Sequence, residues 1–285
     1  MITTKPNWIR GKVSWEEDFE KVRKLLDELK LNSVCVSAAC PNRGECWQAR
    51  HVTFMILGKI CTRGCSFCNI TGGSPEEPDP NEPENIAEAV KKLGVKYVVI
   101  TSVTRDDLFD KGAGQFIKTI WAIKKNVPEA LVEVLIPDFG ANEMLLSEMI
   151  FSGADVIGHN IEMPEALYAD VRPKAYYARS LEVLSILKRR SSGTPIKSSI
   201  IIGLGEKEDD IFRTLEDLKD TGVDIVYIGQ YLSPSRDHWP VKKYYGPSEF
   251  HSLRKKAREM GFKVVLSGPM VRSSYRAYES YLACL

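Results

Sequence analysis

Between Lys59 and Ile70 the chain reads KICTRGCSFCNI, which sets Cys61, Cys65 and Cys68 at the spacing C-x3-C-x2-C with no fourth cysteine close behind. A second triplet precedes it: CVSAACPNRGEC carries Cys35, Cys40 and Cys46 at C-x4-C-x5-C. With 7 cysteines in 285 residues, any one triplet spacing arises by chance on the order of a few times in a thousand chains, so two triplets together point to chemistry. Thiolates this close in sequence wrap zinc or an iron–sulfur cluster. A zinc ribbon needs two C-x2-C-like knuckles or added histidines. Only Cys65 and Cys68 have that spacing, and His51, His159, His238 and His251 are scattered, so zinc is the weaker fit. Three thiolates on a four-iron cluster leave one iron without a protein ligand, and an open coordination position is where a substrate or cofactor binds.

The elements that must hold these residues repeat one unit from residue 54 onward: an apolar, β-branched run, then a segment of helical period ending at glycine. The strand candidates are Phe54 to Ile60, Lys96 to Val103, Leu131 to Asp138, Asp155 to Glu162, Ile196 to Gly203 and Asp224 to Tyr231, several almost continuously apolar. Such runs suit parallel strands buried on both faces. Between them Ile86, Val90 and Leu93 precede Gly94; Leu181, Leu184 and Leu187 precede Gly193; and Ile211, Leu215 and Leu218 precede Gly222. Each glycine suits the left-handed position that closes a helix. Strands alternating with helices predict right-handed crossovers in a parallel sheet, hence an α/β fold of partial (β/α)6 TIM-barrel type, with a doubly wound open sheet as the runner-up. A helix over 248–260 and a seventh strand candidate, Lys263 to Gly268, lead to the C-terminal tail. The expected organisation is one integrated domain: an N-terminal extension (1–50) with the first cysteine triplet, the barrel (51–245) and a C-terminal extension (246–285), the two extensions capping the barrel. Trp47 then belongs to the cap. The proline-rich, acidic stretch Ser74 to Asn85 reads as a loop after the first strand. The CTRGCSFC motif falls at the C-terminal end of that strand, where barrel enzymes build their active sites.

Composition narrows the partners. The 39 basic and 38 acidic residues leave a net charge of +1, which gives no global electrostatic argument for nucleic acid or a membrane surface. The N-terminus MITTKPNWIRGK lacks an apolar signal region, and no run of about 18 apolar residues occurs. The chain reads as soluble and cytoplasmic, and in a reducing compartment clustered cysteines suggest metal ligation more than disulfides.

CTRGCSFC, with Phe67 before the last cysteine, resembles the cluster motif of radical S-adenosylmethionine enzymes. The resemblance extends to the lipoyl synthase family along nearly the whole length: CVSAACPNRGECW, FMILGKICTRGCSFCNI, TSVTRDDLFDKGAGQF, VEVLIPDF, GHNIEMPEALYADVRP, IGLGE, IGQYLSPS and VRSSYRA. It implies two [4Fe-4S] clusters. One is held by Cys61, Cys65 and Cys68, its open iron chelated by S-adenosylmethionine, whose reductive cleavage yields a radical able to take hydrogen from an unactivated carbon. The other, auxiliary, cluster is held by Cys35, Cys40 and Cys46 with a serine of RSSY as fourth ligand: Ser274, with Ser273 as the alternative. The implied reaction inserts two sulfur atoms, drawn from the auxiliary cluster, into an octanoyl chain on a lysine of a lipoyl domain or H-type carrier protein. The implied partners are that carrier, an electron donor such as ferredoxin or flavodoxin, and cluster-assembly proteins. A hard serine oxygen among soft thiolates is a labile position whose release could expose the cluster.

For the cofactor, IKSSIIIGLGE resembles the family pattern G-x-I-x-G-x-x-E at Gly203 and Glu206, with Ser199 where the first glycine is usual. Gly203 and Gly205 would let backbone approach adenine and ribose, or simply make a strand-ending turn. Thr101 and Ser102 end the second strand where related enzymes hold the cofactor's amino group, or form a capping pair. Asn160 and Glu162 suit ribose or methionine contacts, and Arg172 the cofactor carboxylate, against the plain reading of a surface arginine. His159 is expected to pack with a hydrogen bond. Arg105, Asp106 and Asp107 order a loop over the site or are solvated charges. The runs Lys188, Arg189, Arg190 and Arg254, Lys255, Lys256, Arg258 read as solvated faces before a docking surface for an acidic carrier. Cys284 has no assigned role.

Overall fold

Near-continuous apolar runs do form the strands, and glycines do close helices, but several boundaries move. The computed structural model describes residues 4–11 and 17–285; the parts of the N-terminal extension at 1–3 and 12–16 lie outside the described residues. The chain divides into two compact units, each discontinuous in sequence: Gly11–Arg63 with Ile70–Ile157, and Met1–Arg10 with Gly64–Asn69 and Gly158–Leu285.

The first of these contains helices α1 (Glu17–Glu28), α2 (Val34–Ser37) and α3 (Arg43–Gln48), strands β1 (Thr53–Ile56), β2 (Ile60–Cys61) and β3 (Thr71–Gly72), then α4 (Glu82–Leu93), β4 (Tyr97–Ser102), α5 (Ala113–Asn126), β5 (Leu131–Leu135) and α6 (Glu143–Phe151). β1 and β5 both pair in parallel with β4, placing Phe54 opposite Ile100 and Ile100 opposite Val134. From Glu17 on, the N-terminal extension packs against itself and against β1. Phe19 of α1 packs on the buried Trp47 ring at 5.1 Å, and the Ser33 hydroxyl donates to Thr53 O at 2.9 Å.

The expected strand from Phe54 to Ile60 is broken. Leu57 and Gly58 take φ of 69° and 90°, so β1 stops at Ile56 and Ile60–Cys61 pairs instead with Thr71–Gly72. A left-handed leucine is costly unless its surroundings fix it. Here the buried Glu82 carboxylate accepts the Leu57 N–H at 3.0 Å. The stretch Ser74 to Asn85 is likewise only partly loop: its last residues, from Glu82, are the first turn of α4, with Pro83 near the helix start where its missing N–H costs nothing.

The second unit follows β6 (Val156–Gly158) and contains α7 (Tyr168–Val171), α8 (Tyr177–Arg190), β7 (Ile196–Ile202), α9 (Glu208–Asp220), β8 (Ile225–Gln230), α10 (Pro247–Glu259), β9 (Val264–Gly268) and α11 (Ala277–Leu282). β7 and β9 flank β8 in parallel, with Ser199 opposite Tyr227 and Tyr227 opposite Leu266. β6 ends at Gly158, short of the expected Glu162, which has φ 68° and makes only an isolated bridge to Ile200. Gly94 and Gly222 close α4 and α9 with φ of 62° and 84°. Gly193 does not close α8, which ends at an extended Ser191. The strand order of the sheet is β1-β4-β5-β6-β7-β8-β9, seven parallel strands joined by helices, including the seventh candidate as β9. This is the α/β class expected of a partial (β/α) barrel.

Candidate cluster and cofactor site

In the first unit the residues around Cys61 are tied to the loop after β4. The Cys61 sulfur accepts the N–H groups of Arg63 and Thr104, each at 3.4 Å. The Thr62 hydroxyl donates to Thr104 O at 3.0 Å and accepts the Asp106 N–H at 3.1 Å. Arg63, 7% exposed, forks onto two carboxylates: Nε and Nη2 to Asp106 at 2.8 and 2.9 Å, and Nη1 and Nη2 to Asp138 at 2.7 and 2.9 Å. Burial works against its charge, and the hydrogen bonds of Asp106 and Asp138 outweigh it, raising the guanidinium pKa above its usual value. The TRDD charges are paired, with Arg105 buried and Asp106 and Asp107 still exposed to solvent. Asp106 clamps the cysteine loop, and Arg105, 1% exposed, holds Asp107 at 2.8 Å.

In the second unit the Ser66 N–H donates to Val171 O at 2.9 Å, and Ser66 O accepts the Trp239 N–H at 2.8 Å. The Trp239 indole donates to Leu204 O at 2.8 Å, and the Tyr231 hydroxyl to Trp239 O at 2.7 Å. Phe67 is half-buried on this anchored stretch. Cys65 hydrogen-bonds the Arg172 side chain. Cys68 lies near Tyr231, whose hydroxyl is pushed up to about 12, chiefly by burial. Arg172 is not a surface residue: it donates to Tyr168 Oη at 3.0 Å and Ile161 O at 3.3 Å, stacks on the Tyr168 ring, and leaves Nε buried without a partner among the described residues. Beside it, burial pushes the Glu162 carboxyl up against the opposing pull of Arg172 and Asn160. Asn160 Nδ2 donates to Glu162 Oε1 at 3.0 Å and to Ser273 Oγ at 2.8 Å, and Ser273 Oγ lies 3.2 Å from Ser199 Oγ.

Thr101 and Ser102 do not cap a helix. Thr101 donates to Leu135 O at 3.1 Å, and the Ser102 hydroxyl is buried with no partner among the described residues. Gly203 and Glu206 are consumed by their own turn. The Glu206 carboxylate accepts the N–H groups of Gly203, Leu204 and Gly205 at 2.6, 2.9 and 3.0 Å, and the Tyr245 hydroxyl at 3.0 Å. A Cβ on Gly203 would meet Gln230 Nε2 at 2.2 Å and Lys243 O at 2.5 Å. Close approach there is to the protein's own atoms, which favours the turn reading. His159 packs as expected, its Nε2 3.1 Å from Ser180 Oγ. Lys188 is bound to Asp224 at 2.7 Å instead of lying free on a solvated face.

Cys35 lies on α2 and Cys46 on α3, with Cys40 between them. Cys35 is buried and the other two partly exposed; none of the seven cysteines is in a disulfide. Among the described residues no three His, Cys, Asp or Glu side chains gather around a single-ion position. A cubane distributes its thiolates over separate irons and needs no such convergence. The donor set fits the expected groups. Backbone N–H groups point at the Cys61 sulfur and a guanidinium lies beside Cys65, donors of the kind that surround cluster sulfur ligands. The orphaned Ser102 hydroxyl and Arg172 Nε are polar atoms suited to a polar cofactor. Sequence reasoning missed Arg63, Asp138, Tyr231 and Trp239 as positioning residues; the arginine between two motif cysteines was the available signal.

The fold and cysteine loop place the chain among α/β enzymes of the partial-barrel type, and the family model described as the radical SAM superfamily matches residues 55–218. A solved methylornithine synthase shares the fold, at 16% identity and a TM-score of 0.57, with 86% of this chain and 74% of that one covered. The lipoyl synthase of Rubrobacter xylanophilus is 48% identical over 275 residues, 96% of this chain and 86% of the relative. That of Caldicellulosiruptor saccharolyticus is 47% identical over 280 residues, 98% of each. The chain belongs to the lipoyl synthase family of the radical SAM superfamily.

Proposed function

We propose that this chain inserts two sulfur atoms into an octanoyl chain carried on a lysine of a lipoyl domain or H-type carrier protein, using S-adenosylmethionine and two [4Fe-4S] clusters. The observation that carries this reading is 48% identity to a lipoyl synthase over 96% of the chain, with both cysteine triplets and the RSSY motif present. Cys61, Cys65 and Cys68 would hold the cluster that binds the cofactor; Cys35, Cys40, Cys46 and Ser274 would hold the auxiliary cluster that is consumed as sulfur donor. When bound, the cofactor and its cluster supply a radical that takes hydrogen from unactivated carbon. The protein's own part is placement and water exclusion. Arg63 fixes the loop of Cys61, Ser66 and Trp239 anchor the stretch of Cys65 and Cys68, and Ser102, Asn160, Glu162 and Arg172 supply polar contacts for the cofactor. Phe67 and Thr101 border these groups in sequence, while Gly203 and Glu206 act through their turn.

Residues 1–50 would act as the extension bearing the auxiliary triplet, 51–245 as the barrel and 246–285 as the extension bearing RSSY. Among the described residues no helix is long and apolar enough to cross a membrane, and we place the protein in the cytoplasm, with a ferredoxin- or flavodoxin-type electron donor and cluster-assembly proteins as partners. Anaerobic reconstitution tests the cofactor assignment. The account predicts brown protein with iron and acid-labile sulfide that cleaves S-adenosylmethionine to 5′-deoxyadenosine under reduction. A colourless zinc protein would overturn it.

A further inference from the structure

The middle cysteine of CTRGCSFC is held against one short helix. The N–H and hydroxyl of Ser66 both donate to Val171 O, at 2.9 and 3.2 Å. Arg172, which caps the end of α7, hydrogen-bonds the Cys65 side chain. A helix of four residues is too short to fix its own orientation, so its neighbours must do so. Tyr168, its first residue and 5% exposed, does most of this. Its ring meets Tyr177 edge to face at 5.4 Å, and Tyr177 is itself tied to Asp217 by a 2.6 Å hydrogen bond. The phenol donates its hydrogen to Ile161 O and accepts the Arg172 Nη1–H at 3.0 Å. The same ring stacks on the guanidinium, whose carbon is 5.2 Å from the ring centre. Nη1 is thus committed to Tyr168 and Ile161 O, and Nε has no partner among the described residues, which leaves Nη2 for the Cys65 sulfur.

We propose that Tyr168 is a positioning residue for the cluster on Cys61, Cys65 and Cys68: its ring and hydroxyl hold the Arg172 guanidinium on the Cys65 sulfur, and that charge raises the potential at which the cluster takes up its electron. A cluster gains one negative charge on reduction, so a cation and an N–H donor at a ligand sulfur stabilise the reduced form more than the oxidised one. Burial strengthens this, because water cannot screen the pair. Phenylalanine in place of Tyr168 would keep the stacking and the edge contact, but Nη1 and Ile161 O would each lose a partner, and the guanidinium would no longer be fixed. Glu162 also faces Arg172, and its contribution is common to parent and variant. The inference rests on the reading under Proposed function for the cluster itself; the hold of Tyr168 on Arg172 and α7 does not require a cluster.

The test has two arms on the full chain. In metal-free protein with native circular dichroism, Tyr168→Phe should speed hydrogen exchange of the Ser66 amide about ten-fold; unchanged exchange overturns the hold on α7. Reconstituted protein with the parent's iron content is titrated with dithionite under electron paramagnetic resonance, and the signal that changes on adding S-adenosylmethionine marks the cluster on Cys65. Potentials are then read without S-adenosylmethionine. Reduction of that cluster should be about ten-fold less favourable in Tyr168→Phe, a fall of about 59 mV for a one-electron couple, and at least as unfavourable in Arg172→Met, while the other cluster keeps its potential. Packing damage alone would cost iron or stability without moving that one potential, or would move both. An unshifted potential in Arg172→Met, or a Tyr168→Phe shift shared by both clusters, overturns the proposal; a shift in Arg172→Met alone overturns the role of Tyr168. If Tyr168→Phe retains too little iron to titrate, Arg172→Met and the exchange arm decide. If no signal of the parent responds to S-adenosylmethionine, the reading under Proposed function fails and the tuning with it, while exchange at Ser66 still decides the hold.

Discussion

Replacing Asp138 by asparagine tests whether the Arg63 clamp holds the Cys61 loop. The Asp138 carboxylate is 3% exposed and takes two bonds from Arg63 at 2.7 and 2.9 Å, and its Oδ1 also accepts the Gly140 N–H at 3.0 Å. Asparagine keeps one acceptor for Gly140 but sets an amide N–H₂ against Arg63 Nη1, so a charge-assisted bond is lost and a buried donor is orphaned. Removing one partner of a buried ion pair costs about 3–5 kcal/mol; with Asp106 still bound to Arg63, the low end applies, about 3 kcal/mol. For a chain of this size that corresponds to a fall in Tm of roughly 6–9 °C. Asp106→Asn is the internal control. Asp106 is 40% exposed, water can replace its bonds, and a loss of about 1 kcal/mol is expected. Thermal melts of the metal-free proteins at one scan rate measure both, and iron content after reconstitution should fall further in Asp138→Asn than in Asp106→Asn. Equal melts, or full iron retention in Asp138→Asn, would refute the clamp.

Other expectations follow from single sites. Gly203→Ala combines a φ of +103° with collisions at Gln230 and Lys243 and should cost about 3 kcal/mol by denaturant titration. Burial raises the Asp224 pKa, but bonds from the Ile196 N–H and Lys188, with the charges of Lys188 and Lys263, outweigh it and hold it below 3.8. Its stabilisation is then complete above the unfolded value near 3.9 and lost as pH falls through the folded one, so the Tm gap between parent and Asp224→Asn should be level from neutrality to about pH 5 and close in acid. Cys68→Ala should abolish deoxyadenosine formation and leave about half the iron, whereas Cys40→Ala should still cleave S-adenosylmethionine yet insert no sulfur; iron analysis and product assays decide both.

The strands were legible because parallel strands buried on both faces must be apolar throughout, and α4 and α9 were legible because only glycine closes them cheaply in the left-handed conformation. The break after Ile56 was not. It depends on Glu82, 25 residues away, and no local propensity places a leucine at positive φ. The cysteines announced themselves by spacing, but the clamp did not, because Asp106 and Asp138 lie 43 and 75 residues from Arg63. Glu206 looked like a cofactor residue because its pattern suited one, and only the three backbone N–H groups it accepts reveal its role in the turn. Arg172 illustrates the opposite case: beside a proline it looked exposed, yet it stacks on Tyr168 and reaches Cys65.

The central claim is sulfur insertion into an octanoyl chain. Reconstituted protein should be incubated anaerobically with S-adenosylmethionine, a strong reductant and an octanoyl-lysyl peptide, following deoxyadenosine and peptide mass together. The account predicts deoxyadenosine and a peptide carrying two added sulfur atoms. Deoxyadenosine with an unchanged peptide would contradict it, leaving the radical chemistry but assigning it to a different substrate.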